Sequence, residues 1–519
     1  MAWGKNRISR RDMLKSAVVA GAGAATTGVL GSLTDPFVNA AGTPKKWDKA
    51  ADIVIIGAGA TGLPAAIEAI QNGASVIVVE ANDDVGGHAI ISGGNVPLGG
   101  GTSAQKKYGI EDSPDLLFSD LTDWSVVEPN GFPDYRYNDK EIVRAFADNS
   151  AATFEWLVAQ GVIFIDRAPD TRGGISVGNS APREMHTAAM AWPQVNTGVA
   201  VDPAVQASTS SGIGLMRPLE ATARKLGVQI LLEHRMTSVI RENATSGRVL
   251  GIAVDNKGTR LNIQAKKGVI IATGGSTGNV NFRRIFDPRL TEEYCGVAGE
   301  PYSFQDASGE LAAMAIGASL WGTYNQSGEF GANITKAGRI GCKYGYVNLA
   351  WQPTSRYFSR ARAIGLTVRD YQDLILVNQI GRRFYDETQS QFTANNYNSI
   401  RPYTPGSYLN AANVKYSPAN FLNTALAGIG DGSNGGGPIW AIFDAGAVGR
   451  EKWNPTPPNV DIDAGFFFSA NTIAELASRI VNKHQKKPMA ASTLEDTVTK
   501  YNSYVDAGKD PDFGKPAPK

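Results

Sequence analysis

The stretch Asp-Ile-Val-Ile-Ile-Gly-Ala-Gly-Ala-Thr-Gly at residues 52–62 decides the fold of this chain. It opens with a short apolar run rich in β-branched side chains, which is typical of a parallel strand buried on both faces. Residues 63–72 then have the apolar spacing of a helix, and residues 75–79 read as a second strand that ends in Glu80. This order predicts a complete β-α-β unit and therefore an α/β fold of the Rossmann type.

The glycines between the first strand and the helix predict a dinucleotide site. Gly57 permits a tight turn, Gly59 lets the backbone approach a pyrophosphate, and Gly62 lets the helix pack closely on the strand. Ala60 and Thr61 begin the helix, whose free N–H groups and positive dipole end attract phosphate. The acid that ends the second strand can accept hydrogen bonds from ribose hydroxyls and would repel a 2′-phosphate. A glycine-rich turn without a ligand is the alternative, and the complete unit argues against it.

Further glycine turns predict FAD rather than NAD. Gly86 and Gly87 follow the second strand, and glycine-rich turns recur at residues 92–95 and 99–102. Residues 268–275 read as another buried strand that ends in glycines. Such turns let backbone amides reach a long, extended cofactor beyond its first phosphate.

Composition excludes several classes of function. The formal net charge of +1 argues against a nucleic-acid partner, which requires a basic surface. The 2 cysteines and 4 scattered histidines argue against an iron–sulfur cluster, a cysteine zinc site or a multi-histidine centre, so no metal site is predicted. There is no Cys-x-x-Cys-His motif for an attached haem. Electrons are therefore expected to pass to a separate carrier.

The N-terminus predicts an export signal. Residues 9–15, Ser-Arg-Arg-Asp-Met-Leu-Lys, resemble the bacterial twin-arginine signal, and residues 16–33 form an apolar stretch rich in alanine and glycine. Residues 38–40 are a small-residue cleavage candidate; an amphipathic N-terminal helix is the alternative. No later segment reaches about 18 uninterrupted apolar residues, so an integral membrane protein is not expected. We predict a signal peptide at residues 1–40 and a periplasmic location.

The chain resembles the FAD-binding superfamily of fumarate reductase and succinate dehydrogenase flavoproteins, which also includes 3-ketosteroid dehydrogenases and urocanate reductase. Residues 98–102 are more similar to the ketosteroid dehydrogenases than to the fumarate reductases. Besides the β-α-β unit, the matching residues run in family order: Gly86-Gly87, Ser92-Gly93-Gly94, Asp112-Ser113-Pro114, Gly214-Leu215-Met216 before Leu219, Ala272-Thr273-Gly274-Gly275, Asp306, Val377-Asn378 and Gly381-Arg382-Arg383-Phe384-Tyr385-Asp386-Glu387.

The resemblance implies an FAD-binding domain at residues 41–344 and an α+β capping domain at residues 345–519. Some family members carry a flavin-linked histidine near the position of His88, but the spacing differs, so we predict non-covalent FAD. The expected cofactor contacts are Gly57, Gly59, Ala60, Thr61, Gly62, Glu80, Gly86, Gly87, His88, Ser92, Gly93, Gly94, Thr273, Gly274 and Asp306.

Two further expectations concern the C-terminal part of the chain. Family members continue after the capping domain with a glycine-rich segment that completes the FAD site, and this sequence stops near the expected end of that domain. Either the sequence is truncated, which we favour, or a second chain completes the site. Within the capping domain, residues 401–459 predict long loops, and residues 473–487 and 494–505 predict surface helices.

The resemblance only partly supplies a catalytic site. Fumarate reductases carry a His-Pro-Thr motif whose histidine binds the substrate carboxylate, and here Gln352 replaces that histidine. Their proton-donating arginine aligns with Gln391, and Arg369 is a shifted match to another arginine. Arginines could bind an anion or a carbonyl and Tyr385 could act as a phenolic acid, with ordinary structural pairing as the alternative for each. The candidate catalytic residues are Gln352, Arg369, Arg383, Tyr385 and Glu387.

Aromatic residues around the expected cleft suggest an apolar or aromatic substrate, with core packing as the alternative. They are Trp321, Tyr324, Tyr344, Tyr346, Trp351, Tyr357 and Phe358. The expected function is FAD-dependent dehydrogenation of a C–C bond beside a carbonyl in such a small molecule, with electrons passed to a c-type cytochrome or a quinone. One alternative is a reductase of an unsaturated carboxylic acid fed by a separate cytochrome. Another is an FAD-carrying subunit that needs a partner chain.

Overall fold

The structure of the protein is a computed structural model. The described residues all belong to the unit Phe37–Lys519, one of two units into which the chain divides. The predicted signal peptide at residues 1–40 lies outside the described residues. These are residues 44–122, 139–170, 180–188, 211–276, 278–279, 281–282, 285, 303–320, 339–343, 353, 358–369, 371–384, 386–388, 437–516 and 518–519.

The described residues contain both helices and strands along their whole length. The helices are α1 (Gly62–Gln71), α2 (Ser103–Lys107), α3 (Pro114–Leu121), α4 (Lys140–Ala159), α5 (Ile213–Lys225), α6 (Ser308–Ala315), α7 (Phe358–Ala361), α8 (Ala445–Glu451), α9 (Ile473–Arg479) and α10 (Ala491–Ala507). The strands are β1 (Lys49–Ile56), β2 (Val76–Val79), β3 (Asn95–Pro97), β4 (Glu184–His186), β5 (Gln229–Leu231), β6 (Arg235–Arg241), β7 (Val249–Asn256), β8 (Thr259–Ile271), β9 (Arg339–Ile340), β10 (Leu366–Thr367), β11 (Ile375–Val377) and β12 (Trp440–Ile442).

A 6-stranded sheet with the strand order β5-β2-β1-β8-β7-β6 forms the centre of the first half. Neighbouring strands from β5 to β8 in this order are parallel, and β8, β7 and β6 pair antiparallel. Helix α1 connects β1 to β2, which is the crossover that adjacent parallel strands require. The predicted β-α-β unit and the α/β class are therefore confirmed.

The central strands are apolar throughout because both faces of the sheet are covered. In β1, Ile55 packs into one hydrophobic cluster with Leu63 and Ile67 of α1. Its neighbour Val54 points to the opposite face, where it packs with residues such as Ile252 of β7. Alternate residues of one strand thus belong to two cores, which explains the unbroken apolar run in the sequence.

Strand β8 is longer than the sequence indicated. The predicted strand near residues 268–275 is the end of a strand that begins at Thr259 and first pairs antiparallel with β7. Its second half pairs in parallel with β1, up to the pair Ile56–Ile271. The glycine-rich end of β8 therefore lies beside the turn that follows β1.

The C-terminal part of the described chain mixes short strand pairs with helices. β11 pairs antiparallel with β12, and β9 pairs antiparallel with β10. Leu376 faces a cluster with Phe384, whereas Val377 faces a cluster with Leu494 and Tyr501 of α10. The strand pair β11–β12 is thus covered on both faces, and α10 confirms the helix predicted at residues 494–505.

Two sequence predictions in this region are wrong. The helix predicted at residues 473–487 ends at Arg479, because the backbone of Ile480 is extended and the Asn482 side chain accepts a hydrogen bond from the N–H of His484 at 2.9 Å. This local turn replaces the next helical turn. Of the loops predicted at residues 401–459, only residues 437–459 are described, and these contain β12 and α8. Asp444 caps α8 by accepting a hydrogen bond from the N–H of Ala447 at 2.7 Å.

Within the described residues, none of the helices is both long and apolar enough to cross a membrane.

Candidate functional site

The turn after β1 combines two tightly packed glycines with one that borders open space. A Cβ at Gly57, where φ is +102°, would lie 2.3 Å from the carbonyl oxygen of Ala272, and one at Gly62 would lie 1.8 Å from that of Gly57. At Gly59 no heavy atom of the described chain lies within 4 Å of the missing Cβ. A side chain there would enter open space beside the turn, where a pyrophosphate lies in dinucleotide sites of this type.

Helix α1 begins directly at this space. Its N-cap residue Thr61 makes no side-chain capping hydrogen bond within the described structure. Ala60 and Thr61 are both exposed. Leu63 donates its N–H to the carbonyl oxygen of Gly59 at 3.1 Å, and Pro64 has no N–H. What the helix offers an anion beside Gly59 is therefore mainly the positive end of its dipole.

Glu80, which follows β2, is fixed beside the same turn. Its Oε2 accepts a hydrogen bond from the N–H of Ala58 at 2.8 Å, and its Oε1 accepts one from the N–H of Asn82 at 2.9 Å. Burial raises the pKa of Glu80, although these hydrogen bonds act in the opposite direction. The carboxyl group is held where it could bind the hydroxyls of a ribose next to the phosphate turn.

The loop that follows Glu80 closes over the turn. The N–H of Gly86 donates to the carbonyl oxygen of Ala58 at 2.9 Å. Gly86 and Gly87 have φ values of +108° and +50°, which favour glycine. A Cβ on Gly87 would lie 3.9 Å from Cα of Gly59. The two glycine turns therefore border one space.

The predicted contacts His88, Ser92, Gly93 and Gly94 continue from this loop. His88 is half-buried, and burial lowers the pKa of its ring, so it is neutral near pH 7. Ser92 Oγ accepts a hydrogen bond from the N–H of Gly94 at 3.2 Å, and the N–H of Gly212 donates to the Ser92 carbonyl at 2.9 Å. These bonds join the turn to the start of α5.

Thr273, Gly274 and Asp306 meet at the end of β8. The N–H of Ala307 donates to the carbonyl oxygen of Gly275 at 3.2 Å, which places the segment around Asp306 against the Thr273–Gly274 turn. Burial opposes ionisation of Asp306, but the charge of Arg235 and the hydrogen bonds from Ser308 outweigh it and lower its pKa. Asp306 is therefore a stable anion beside this turn.

The predicted cofactor residues thus lie after the carboxyl ends of β1, β2 and β8. These parallel strands end at one edge of the sheet. Ligands of open α/β sheets bind at this edge. The arrangement, with open space at Gly59, fits the diphosphate of a dinucleotide.

Two of the candidate catalytic residues are buried in a charge cluster. Arg383 donates to Glu387 Oε1 at 2.7 Å and lies 2.8 Å from an oxygen of Asp510. Lys515 Nζ lies 3.4 Å from Glu387 Oε2, and the Arg383 guanidinium lies 4.9 Å from the centre of the Tyr501 ring. Side-chain exposure is only 5% for Arg383 and 0% for Glu387. This placement favours the structural pairing over a catalytic role.

Arg369 is the other catalytic candidate among the described residues, and it is not part of this buried cluster. Arg369 is exposed after β10. Gln352, Tyr385 and Gln391 lie outside the described residues. Of the predicted aromatic residues, only Phe358 is described, and it is half-buried at the start of α7. Among the candidates that the structure describes, Arg383 and Glu387 are paired with each other, and Arg369 is exposed.

Two further features of the described residues were not foreseen. Asp170, Glu184 and His186 place possible metal-ligand atoms within 4.8 Å of one another. His186 Nε2 lies 3.2 Å from Asp170 Oδ2, within hydrogen-bond distance, and 3.6 Å from Glu184 Oε1. The other is a cavity of about 1130 Å³ in the C-terminal part, lined by aromatic side chains such as Trp440, Phe443 and Phe467. None of the predicted cofactor contacts lines it.

The family described as FAD binding domain matches residues 52–518. The chain belongs to this FAD-binding family. The resemblance predicted from the sequence is therefore confirmed, and so is the fold, an FAD-binding α/β domain with a capping region. The cofactor is FAD, and the protein is an FAD-dependent oxidoreductase.

Known relatives and structures agree with this assignment. A vinyl phenol reductase of Lactiplantibacillus plantarum is 26% identical over 471 residues, which cover 89% of this chain and 78% of the relative. The acrylate reductase flavoprotein subunit of Shewanella woodyi is 29% identical over 298 residues, and the match spans 56% of this chain and half of the relative. The 3-ketosteroid Δ1-dehydrogenase of Sterolibacterium denitrificans shares the fold, with a TM-score of 0.51 and 20% identity over 90% of this chain and 81% of that one.

Proposed function

We propose that the protein is an exported flavoprotein that dehydrogenates a C–C bond beside a carbonyl group in an apolar or aromatic small molecule. The open space at Gly59 carries the cofactor part of this proposal, because a Cβ there would occupy the position expected for the pyrophosphate. Bound FAD supplies a ring that takes up or releases a hydride. The chain's own residues hold its phosphates at Gly59 and Gly87 and its sugar at Glu80.

The names of the relatives support the substrate class, an apolar or aromatic small molecule. Vinyl phenol is an aromatic compound with a C=C bond, and a 3-ketosteroid is an apolar compound with a carbonyl. Charged dicarboxylates fit less well, because Gln352 replaces the histidine that binds a carboxylate in fumarate reductases. An aromatic or apolar substrate is therefore the better match.

Reduction of an activated C=C bond is the second candidate. It is favoured by two relatives that are reductases, one for vinyl phenol and one for acrylate. In this direction a separate electron carrier, such as a c-type cytochrome, feeds the flavin.

Anaerobic stopped-flow spectroscopy separates the two directions. A dehydrogenase loses its flavin absorbance when a saturated ketosteroid or aryl ketone is added. A reductase that has been reduced chemically regains the absorbance when a vinyl phenol or acrylate is added. If none of these compounds changes the flavin absorbance, the proposed substrate class is wrong. Transfer of electrons from the reduced protein to cytochrome c or to a quinone then identifies the carrier.

Export is proposed from the N-terminal motif alone. Changing both Arg10 and Arg11 to lysine should retain the protein in the cytoplasm, because a receptor reads this pair. Cell fractionation measures the distribution, and the FAD content of the retained protein serves as a control for folding. Unchanged accumulation in the periplasm would contradict the proposal.

A second chain that completes the FAD site is also open to test. Purified alone, this 519-residue chain should hold FAD weakly if another chain or segment normally contributes one wall of the site. Stoichiometric FAD that survives gel filtration would mean that the residues of this chain close the site themselves.

A further inference from the structure

The loop that carries Gly86 and Gly87 is tied to helix α5 by a buried ion pair. Arg217 Nη1 donates to Asp84 Oδ1 at 3.0 Å, and its Nη2 donates to Oδ2 at 2.6 Å. The side chains are only 10% and 1% exposed. A bidentate pair of this kind fixes orientation as well as distance.

Asp84 sits at the root of the glycine loop. Its Oδ1 also accepts a hydrogen bond from the N–H of Val85 at 2.8 Å. The next residue, Gly86, donates its N–H to the carbonyl oxygen of Ala58 in the phosphate turn. The loop is therefore held at two points, Asp84 and Gly86, and Gly87 follows directly after the second of them, opposite Gly59.

Helix α5, which carries Arg217, is itself held in place by its neighbours. It packs against α1 and against the short 3₁₀ helix Ala89–Ile91 that follows the loop. Glu220, one turn along α5, accepts a second bond from Arg217 Nη1 at 2.5 Å. Burial opposes the charge of Arg217, but Asp84 and Glu220 outweigh it and raise its pKa. Arg217 is thus a charged side chain on α5 that binds carboxylates of both the loop and the helix.

We propose that Asp84 and Arg217 are positioning residues for FAD, which hold Gly87 against Gly59 so that both glycine turns enclose the cofactor's phosphates. Neither side chain needs to touch the cofactor, because each acts through the backbone of residues 85–87. The inference rests on the FAD site and not on the substrate, so it stands or falls independently of the reaction proposed above.

The test is a set of conservative variants of the full chain, each purified with FAD. Asp84→Asn removes the charge at constant shape, and Arg217→Lys keeps the charge but loses the bidentate geometry. Arg224→Lys is the matched control, because Arg224 also pairs with Glu220, at 2.9 Å, but is 45% exposed and does not contact the loop. The readouts are the FAD dissociation constant, from the fluorescence of released flavin, and the visible circular dichroism of bound flavin.

Loss of a charge-assisted contact should weaken FAD binding roughly ten- to a hundredfold in Asp84→Asn, with a smaller loss in Arg217→Lys and none in Arg224→Lys. The visible circular dichroism should change in the same order, because the flavin's surroundings loosen. Thermal unfolding of the FAD-free variants distinguishes a specific loss of FAD affinity from a loss of overall stability. FAD affinity equal to the unmodified protein in both loop variants would overturn the proposal, as would equal losses in the control. If Asp84→Asn does not fold, the FAD dissociation constants of Arg217→Lys and Arg224→Lys are compared instead, and weaker binding in Arg217→Lys alone supports the proposal.

Discussion

Gly59 and Gly87, which belong to different loops, face each other across one space, so that a Cβ on Gly87 would lie 3.9 Å from Cα of Gly59. The packing of the protein does not require glycine at position 59, because open space surrounds the missing Cβ among the described residues. We expect a requirement for glycine there to come from the cofactor, whose pyrophosphate would occupy this space. This distinguishes Gly59 from Gly57 and Gly62, whose neighbours leave no room for a side chain.

Gly59→Leu should therefore abolish FAD binding while the fold is retained, because its side chain would occupy the space of the pyrophosphate and its Cβ has no described atom within 4 Å. Flavin absorbance of the purified protein and far-ultraviolet circular dichroism measure the two effects. Gly449→Leu in α8 is the control, since a Cβ at Gly449 also meets no atom within 4 Å but is remote from the turn. Normal FAD content in Gly59→Leu would show that the pyrophosphate does not lie beside Gly59.

The phosphate turn could be predicted from the sequence because its parts are contiguous. Strand, glycine turn, helix and acid follow one another, and each leaves a local pattern. The ion pair of Asp84 and Arg217 leaves none, because its members are 133 residues apart and each looks like an ordinary surface charge. The ion pair of Arg383 with Asp510 also leaves no local pattern in the sequence, because the two residues lie far apart in the chain. Sequence resemblance suggested catalysis there, whereas the fold places both residues in a buried cluster.

Glu387→Gln should lower the free energy of unfolding by about 3–5 kcal/mol, because it leaves the buried charges of Arg383 and Lys515 without their shared partner. Urea unfolding measures this loss. Glu475→Gln is the control, since Glu475 pairs with Arg479 on the surface and such pairs contribute about 0–1 kcal/mol. Unchanged stability of Glu387→Gln combined with lost turnover would restore the catalytic role implied by the resemblance.

The buried pair of Asp112 and Arg183 predicts a pH dependence of stability. Both side chains are 0% exposed, and Arg183 donates two bonds of 2.8 Å to Asp112. Burial would raise the pKa of Asp112, but Arg183 and the other hydrogen bonds outweigh it, so the folded pKa lies below the unfolded value. The stabilisation is therefore present above the unfolded pKa of about 3.9 and is lost as the pH falls through the folded pKa.

Asp112→Asn should consequently be less stable than the unmodified protein at pH 7, and the difference should shrink in acid. Thermal unfolding at pH 7 and at about pH 3–4, where the carboxyl group of the unfolded chain is protonated, measures this change. A difference that is the same at both pH values would show that Asp112 acts through its shape and not through its charge.

The protein should not reduce fumarate at a useful rate. That reaction needs cationic groups on two carboxylates and a proton donor beside the carbon opposite the flavin. By sequence alignment Gln391 stands where the donor arginine is expected and carries no ionisable proton, and Gln352 offers a hydrogen bond but no positive charge. Loss of one charge-assisted contact costs about 1.5–3 kcal/mol, and loss of the proton route adds to it. Fumarate-dependent reoxidation of chemically reduced protein, with oxygen excluded, measures the rate, and vinyl phenol serves as the comparison substrate. Turnover in the range of ordinary enzymes, ~1–10³ per second, would mean that other residues supply the cation and the proton, and that Gln352 and Gln391 do not occupy the aligned positions.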